Sequence, residues 1–217
     1  MSDVRQDNEG YRRFRTAMQE GKLHAGMVVT QNELCELLGL SLSPMREATT
    51  LLEAEGLITI RRRIGITIFY PDVKFVGNTF QFRGLLEREG LTKFARSVDT
   101  AWLKQVRDDH LAMIDHLRTA DDPAAYREPM RRLEHDFHGS FIAALENHQI
   151  DTIYQRLTQK MFLIRLINME AVGPDKSILS MREHLAILDA LDRRDADAAS
   201  AALDQHLRGV LHRVLTT

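Results

Sequence analysis

Glu134 and His138 stand four residues apart in a segment of helical periodicity, so they share one helix face, which also carries Phe141, Ile142 and Leu145. Both side chains are therefore expected to point at a core. His184 lies on a stripe with Ile187, Leu188 and Leu191, and His206 lies beside Leu203, Leu207 and Val210. Three imidazoles and a carboxylate brought from three helices to one place suit a divalent metal such as zinc, nickel, manganese or iron. The spacing leaves another reading open. His110 sits on an equally apolar stripe with Met113, Ile114 and Leu117, and core histidines held by ordinary hydrogen bonds occupy such faces too. Used as an enzyme, the same set would take Glu134 as base or ligand and a metal-bound water as nucleophile. It is not the paired Glu plus Glu-x-x-His arrangement of di-iron bundles, because Glu134 and His138 are i, i+4 and no second such pair is present.

A second chemistry is carried by arginine. Arg61, Arg62 and Arg63 fall in a stretch from Gly56 to Pro71 that has no acidic residue, so three uncompensated guanidinium groups suit a phosphate backbone or a groove edge. Bulk charge adds nothing to this. Residues 1–70 hold nine Lys plus Arg against nine Asp plus Glu, and the whole chain of 217 residues has a net charge of -2. Local placement is the signal, and it favours two modules on two half-sites over one. The single cysteine, Cys35, excludes an internal disulfide and fits a reducing cytoplasm; among apolar neighbours it reads as a core thiol. The polar start Met1-Ser-Asp-Val-Arg and the lack of an apolar run of about 18 residues point away from a signal peptide or a membrane span.

These groups need elements to hold them. Thr30-Gln-Asn-Glu33 is a capping box, which starts a helix that Gly39 ends near Leu38. Ser41 or Ser43 caps the next helix, Pro44 fits its first turn, Leu51 and Leu52 face inward, and Gly56 ends it. Two helices joined by so tight a turn form a helix-turn-helix. The period then becomes two, with Ile58 and Ile60 on one face and Ile64, Ile66 and Ile68 alternating with Gly65 and Thr67 on the return. That is a hairpin with the arginines at its tip, so the whole reads as a winged helix.

From Asp72 the pattern is helical to the end, with six helices expected near 75–97, 100–119, 123–146, 151–171, 178–193 and 195–215. Thr100, Pro123, Asp151, the capping box Ser180-Met-Arg-Glu183 and Asp195 mark starts, and Ala171-Val-Gly-Pro-Asp175 separates the fourth from the fifth. The expected fold is mainly α: a winged helix-turn-helix domain over 1–71 and an all-α six-helix bundle over 72–217.

The segment Glu33-Leu-Cys-Glu-Leu-Leu-Gly-Leu-Ser-Leu-Ser-Pro-Met-Arg-Glu-Ala48, with Glu55-Gly-Leu-Ile58 and Arg63-Ile-Gly65, resembles the GntR family of bacterial transcription regulators. The resemblance implies a dimer on a palindromic operator, with the second helix in the major groove and the wing toward the minor groove. Carried over by position, it places Ser41, Ser43 and Arg46 at DNA, with Arg62, Arg63 and Gly65 in the wing contact beside Arg61. Leu42 and Asn32 stand where relatives often carry basic residues, so operator preference does not transfer.

Residues 78–210 resemble the FCD effector domain, of FadR and VanR type, through Phe82-Arg-Gly-Leu-Leu-Glu87, Glu134-His-Asp-Phe-His138, Arg182-Glu-His-Leu-Ala-Ile-Leu-Asp-Ala190 and His206-Leu207. Six helices match the shorter, VanR-like branch. The resemblance implies a divalent metal, zinc first, on Glu134, His138, His184 and His206, whereas His110 matches no ligand position. Glu134 is one methylene longer than the Asp commonest there. It also implies a small carboxylate effector bound without turnover, with Arg83 as its cation and Arg165 as a second candidate; an ion pair with Glu87 is the other use of Arg83. The expected protein is thus a cytoplasmic, homodimeric, ligand-responsive repressor and not an enzyme.

Overall fold

The computed structural model describes residues 8–119, 122–167 and 173–216. Ala171 and Val172 of the expected helix break lie outside them. The chain divides into two units, Met1–Asp72 with Thr158–Ile167, and Val73–Leu157 with Asn168–Thr217.

In the first unit, helix α1 (Glu9–Gln19) is capped by Asn8, whose side chain accepts from the Tyr11 amide, and it buries Tyr11, Phe14, Ala17 and Met18 along one face. Helix α2 (Gln31–Leu38) starts on the capping box, with the Glu33 amide bonded to Thr30 at 3.2 Å and the Thr30 amide to Glu33 at 2.7 Å. Gly39 ends it in the left-handed region at φ 59°. Helix α3 (Leu42–Ala54) follows, with Met45, Ala48, Thr49 and Leu52 buried. Ser41 occupies the cap position, but its hydroxyl makes no cap hydrogen bond, so neither serine is the hydroxyl cap expected here.

Strands β2 (Ile58–Arg61) and β3 (Gly65–Ile68) pair antiparallel, and a short β1 (Val28–Val29), which the sequence pattern does not announce, adds to the other edge of β3. Ile58, Ile66 and Ile68 are buried, but Ile60 and Ile64 are 47% and 57% exposed. Alternation therefore marks the inward face only where the hairpin lies over the core; beyond it the same residue type stands in solvent. Leu34, Leu38, Met45, Leu52, Ile58 and Ile68 form this core, together with Leu163.

The second unit is built from six helices: α4 (Val73–Ala95), α5 (Thr100–Thr119), α6 (Pro123–Ala143), the first part of α7 (His148–Ile167), α8 (Pro174–Asp192) and α9 (Ala196–Thr216). Helix α9 packs on α8 and α4, α5 on α8, and α4 on α6 around Leu91, Phe137, Phe141, Ile187, Leu188, Leu191 and Leu203. Two starts differ from expectation. Helix α7 begins at His148, where Asn147 accepts from the amides of Gln149 and Ile150. Helix α8 begins at Pro174 with Gly173 as its cap, so Ser180 and Glu183 lie inside the helix and form no capping box. Pro174 needs no amide donor at a helix start, and the extra turn follows from that.

Close approach of α4 and α6 depends on a glycine. A Cβ built on Gly90 would lie 2.1 Å from the Phe141 carbonyl oxygen. Glu87 stands one turn before Gly90, and His138 one turn before Phe141. The same contact therefore brings those two side chains together.

Candidate metal centre and nucleic-acid interface

His138 of α6, His184 of α8 and His206 of α9 converge, each buried, with one ring nitrogen apiece in a group that fits a metal ion. The Nε2 atoms of His138 and His206 lie 3.2 Å from Nε2 of His184. Glu134 lies just outside the three, with its carboxylate 3.7 Å from His184 Nε2.

What fixes the rings is on their far sides. His138 Nδ1 meets the Glu87 carboxylate at 2.8 Å, and His206 Nδ1 meets that of Glu183 at 2.8 Å. Carboxylates only accept, so both Nδ1 atoms donate, and in the neutral ring each Nε2 then turns its lone pair inward. His184 Nδ1 lies 3.0 Å from His110 Nε2, and His110 Nδ1 lies 2.7 Å from the Val106 carbonyl. Three lone pairs aimed at one point repel one another and suit a shared cation. The donor set therefore fits a divalent ion, with the outer hydrogen bonds that orient metal-binding imidazoles already in place.

Each outer carboxylate is itself paired. Glu87 accepts from Arg83 Nε and from the Tyr154 hydroxyl, both at 2.5 Å. Glu183 receives both terminal nitrogens of Arg213, at 2.8 and 2.7 Å, and one of these also reaches Ser180 at 3.1 Å. Burial alone would raise the Glu87 carboxyl, but Arg83, His138 and Tyr154 hold it at about 2. Burial pushes His138 down to about 4, and it pushes His184 well below the usual imidazole range, where neighbouring histidines and Arg83 keep it. Both rings are consequently neutral near pH 7, the form in which imidazole binds a metal.

Arg83 makes the intrahelical ion pair with Glu87 and keeps one donor unused. Its side chain is 2% exposed, its Nε is committed to Glu87, and its buried Nη1 has no hydrogen-bond partner among the described residues. Arg165 is placed differently. It lies in Thr158–Ile167 of α7, which groups with the first unit and not with the bundle that holds the histidines.

Sequence reasoning passed over Glu183, Tyr154, Arg213 and the use made of His110. Glu183 was masked by the apparent capping box, although its position directly before His184 is a visible clue. Tyr154 and Arg213 meet their partners only through tertiary packing, 67 and 30 residues away along the chain.

The basic surface lies in the first unit. Asn32 is exposed in the first turn of α2, and Ser41, Leu42, Ser43 and Arg46 are exposed along the start of α3, with Leu42 49% accessible. Arg61 ends β2, while Arg62 and Arg63 form the exposed turn, where Arg63 takes φ 67°. None of these four arginines has an ion pair among the described residues. Gly65 adopts φ 122° and carries no Cβ where one would lie 2.6 Å from the Val29 carbonyl, so it is what lets β3 run this close to β1.

A helix-turn-helix with a basic wing, joined to a helical domain with buried ligand-type side chains, defines a regulator of transcription. Residues 8–68 match the model for bacterial regulatory proteins of the gntR family, and residues 78–209 match the FCD domain. The chain belongs to the GntR family, in the branch that carries an FCD domain. It is 25% identical over 199 residues to the HTH-type transcriptional regulator BphR of Paraburkholderia xenovorans, covering 91% of this chain and 80% of that protein. It is likewise 25% identical over 206 residues to the HTH-type transcriptional repressor RspR of Escherichia coli, covering 94% and 86%. The fold resembles that of E. coli McbR/YncC with a TM-score of 0.72 at 16% identity, over 96% of this chain and 95% of that one. Among the described residues no helix is long and apolar enough to cross a membrane.

Proposed function

We propose that the protein is a homodimeric repressor that binds a palindromic operator and releases it when a small carboxylate occupies a metal-containing site in the helical domain. One observation carries this reading: the Nε2 atoms of His138 and His206 each lie 3.2 Å from that of His184, and each of the three rings is backed by an outer hydrogen bond. His138, His184 and His206 would hold the ion, with Glu134 beside them as the carboxylate ligand. When bound, a divalent ion with an open position supplies a Lewis-acidic point for an anionic oxygen.

Charge favours an anion there. The pairs Arg83–Glu87 and Arg213–Glu183 are each neutral, and so are the rings of His138 and His184. Glu134 alone would offset a divalent ion by half, which leaves the site positive. Arg83 Nη1 adds an unused donor close by. Both features suit a small carboxylate better than a neutral or cationic ligand.

On the DNA side, Ser41, Ser43 and Arg46 are set for the major groove, and Arg61, Arg62 and Arg63 for phosphates beside it. Leu42 offers an apolar surface for a thymine methyl, and Asn32 an amide for a phosphate or base edge. The name of RspR, a repressor, supports that sign of regulation. An effector must bind one dimer geometry better than the other, since equal binding shifts nothing.

Elemental analysis of the purified chain should return about one divalent ion per chain. A gel-shift series with small organic acids on an operator fragment should then show one that weakens binding in the metal-loaded protein and not in the chelated one. A metal-free preparation that refuses zinc, nickel and manganese would overturn the sensing half. DNA binding that no carboxylate alters would overturn the direction.

A further inference from the structure

The three central histidines are not equivalent. His138 and His206 donate to carboxylates, each itself held by an arginine, whereas His184 meets a fourth, fully buried histidine, His110 of α5. We propose that His110 is the positioning residue of the metal centre, which selects the His184 tautomer that turns Nε2 toward the ion. The proposal rests on the metal reading above and names the residue on which that reading depends at its one neutral corner.

Directionality comes from the end of the chain of contacts. The Val106 carbonyl can only accept, so His110 Nδ1, 2.7 Å away, must be the donor. A neutral His110 then presents a lone pair at Nε2. His184 Nδ1, 3.0 Å from it, must donate in turn, and His184 Nε2 is left with its lone pair facing His138 and His206. Without His110, nothing at this point distinguishes the two His184 tautomers, and the wrong one would aim an N–H at the ion.

Packing restricts the rings to that role. Phe137 stacks on His184 with centroids 4.3 Å apart and an interplanar angle of 24°, and it meets His110 edge-on at 5.1 Å. His184 thus has a face held by Phe137 and an edge held by His110. Its two ring nitrogens meet the Val106 carbonyl and His184, and no carboxylate bonds either of them among the described residues. Because the partner is neutral, His184 remains a neutral ligand and adds no negative charge to the site.

Zinc affinity of the full chain, measured by competition with a chromophoric chelator, tests this with two variants. His110→Phe keeps a ring but removes the acceptor, and should weaken zinc binding by about 10–100-fold. His110→Gln carries an amide oxygen near the position of Nε2 and should restore most of that loss. The cobalt-loaded variants should follow the same order in their visible spectra, His110→Phe departing from the native band shape and His110→Gln resembling it. Equal zinc affinity in the native chain and His110→Phe would overturn the role of His110 and leave the metal reading standing. Equal weakness in Phe and Gln variants would overturn it too, reducing His110 to packing. A native chain that takes up neither zinc nor cobalt would overturn both readings. If His110→Phe does not fold, two-bond 1H–15N spectra of the native zinc-loaded chain decide: the proton of His110 belongs on Nδ1, and finding it on Nε2 overturns the proposal.

Discussion

At the scale of single residues, Glu87 ties three side chains to one buried group. One buried carboxylate accepts from Arg83, His138 and Tyr154, so its removal strips three donors at once. Glu87→Ala should destabilise the chelated protein by about 3–5 kcal/mol in urea unfolding, because it leaves the Arg83 charge buried without its partner. It should also weaken metal binding through the loosened His138. An intact unfolding midpoint would show that Arg83 finds other compensation. Protonation acts on the same cluster from another side. His138 is held at about 4, against an ordinary value of 6.5, so in the window between them the unfolded chain binds the extra proton. Its contribution is full above pH 6.5 and is lost as the pH falls toward 4. His184, also depressed, adds in the same direction. The metal-free protein should therefore lose stability between pH 7 and 5, with each such proton contributing a slope of up to about 1.4 kcal/mol per pH unit. Thermal melts of the chelated chain across that range check it, and a flat profile would count against neutral buried rings.

At the scale of elements, glycine decides two approaches that no polar group controls. Gly90 lets α4 meet α6 against the Phe141 carbonyl. Gly90→Ala should cost about 1–3 kcal/mol or more as the helices part. It should weaken metal binding as well, because Glu87 and His138 sit one turn from the contact. A stable Gly90→Ala protein with native zinc affinity would show that the helices can shift without moving the site. In the wing, Gly65→Ala meets both an unfavourable φ of 122° and the Val29 carbonyl. The expected result is weaker operator binding in gel shifts with the metal affinity of the bundle unchanged, since the two lie in separate units. The elements also explain one misreading. Ser180-Met-Arg-Glu183 has the spacing of a helix start, yet helix α8 is already under way, and both end residues bond Arg213 instead. A capping pattern records which bonds a side chain can make, and a tertiary partner can claim them first.

At the scale of the whole molecule, charge sets how DNA must be held. A DNA-binding unit with as many acids as bases is not drawn to DNA by its net charge, so the proposed function has to rest on Arg46, the wing arginines and two such units per operator. Arg46→Ala combined with Arg62→Ala should abolish specific binding. The slope of log affinity against log salt should become shallower by about 0.9 for every phosphate that the variant no longer neutralises. A duplex carrying a single half-site should bind far more weakly than one with two half-sites a helical turn apart. Equal affinity for both would remove the dimer from the account.

The local parts were legible in the residues alone. The capping box at Thr30, the stop at Gly39, the hairpin after Gly56 and the six helical stretches follow from propensity and period, which act within a few residues. The i, i+4 pair Glu134 and His138 was legible for the same reason, because one helix turn fixes their shared face. Tertiary structure alone decided which of the histidines meet, that Glu134 stands beside and not among them, that Glu183 turns to His206, and that Arg165 groups with the other unit. These pairings join residues tens of positions apart, and their choice depends on helix packing, such as the close contact at Gly90, that no local pattern encodes. His110 is the clearest case. Its apolar stripe placed it in a core, but only the meeting of α5 with α8 gave its ring a partner, and with it a direction for every hydrogen bond from Val106 to the centre.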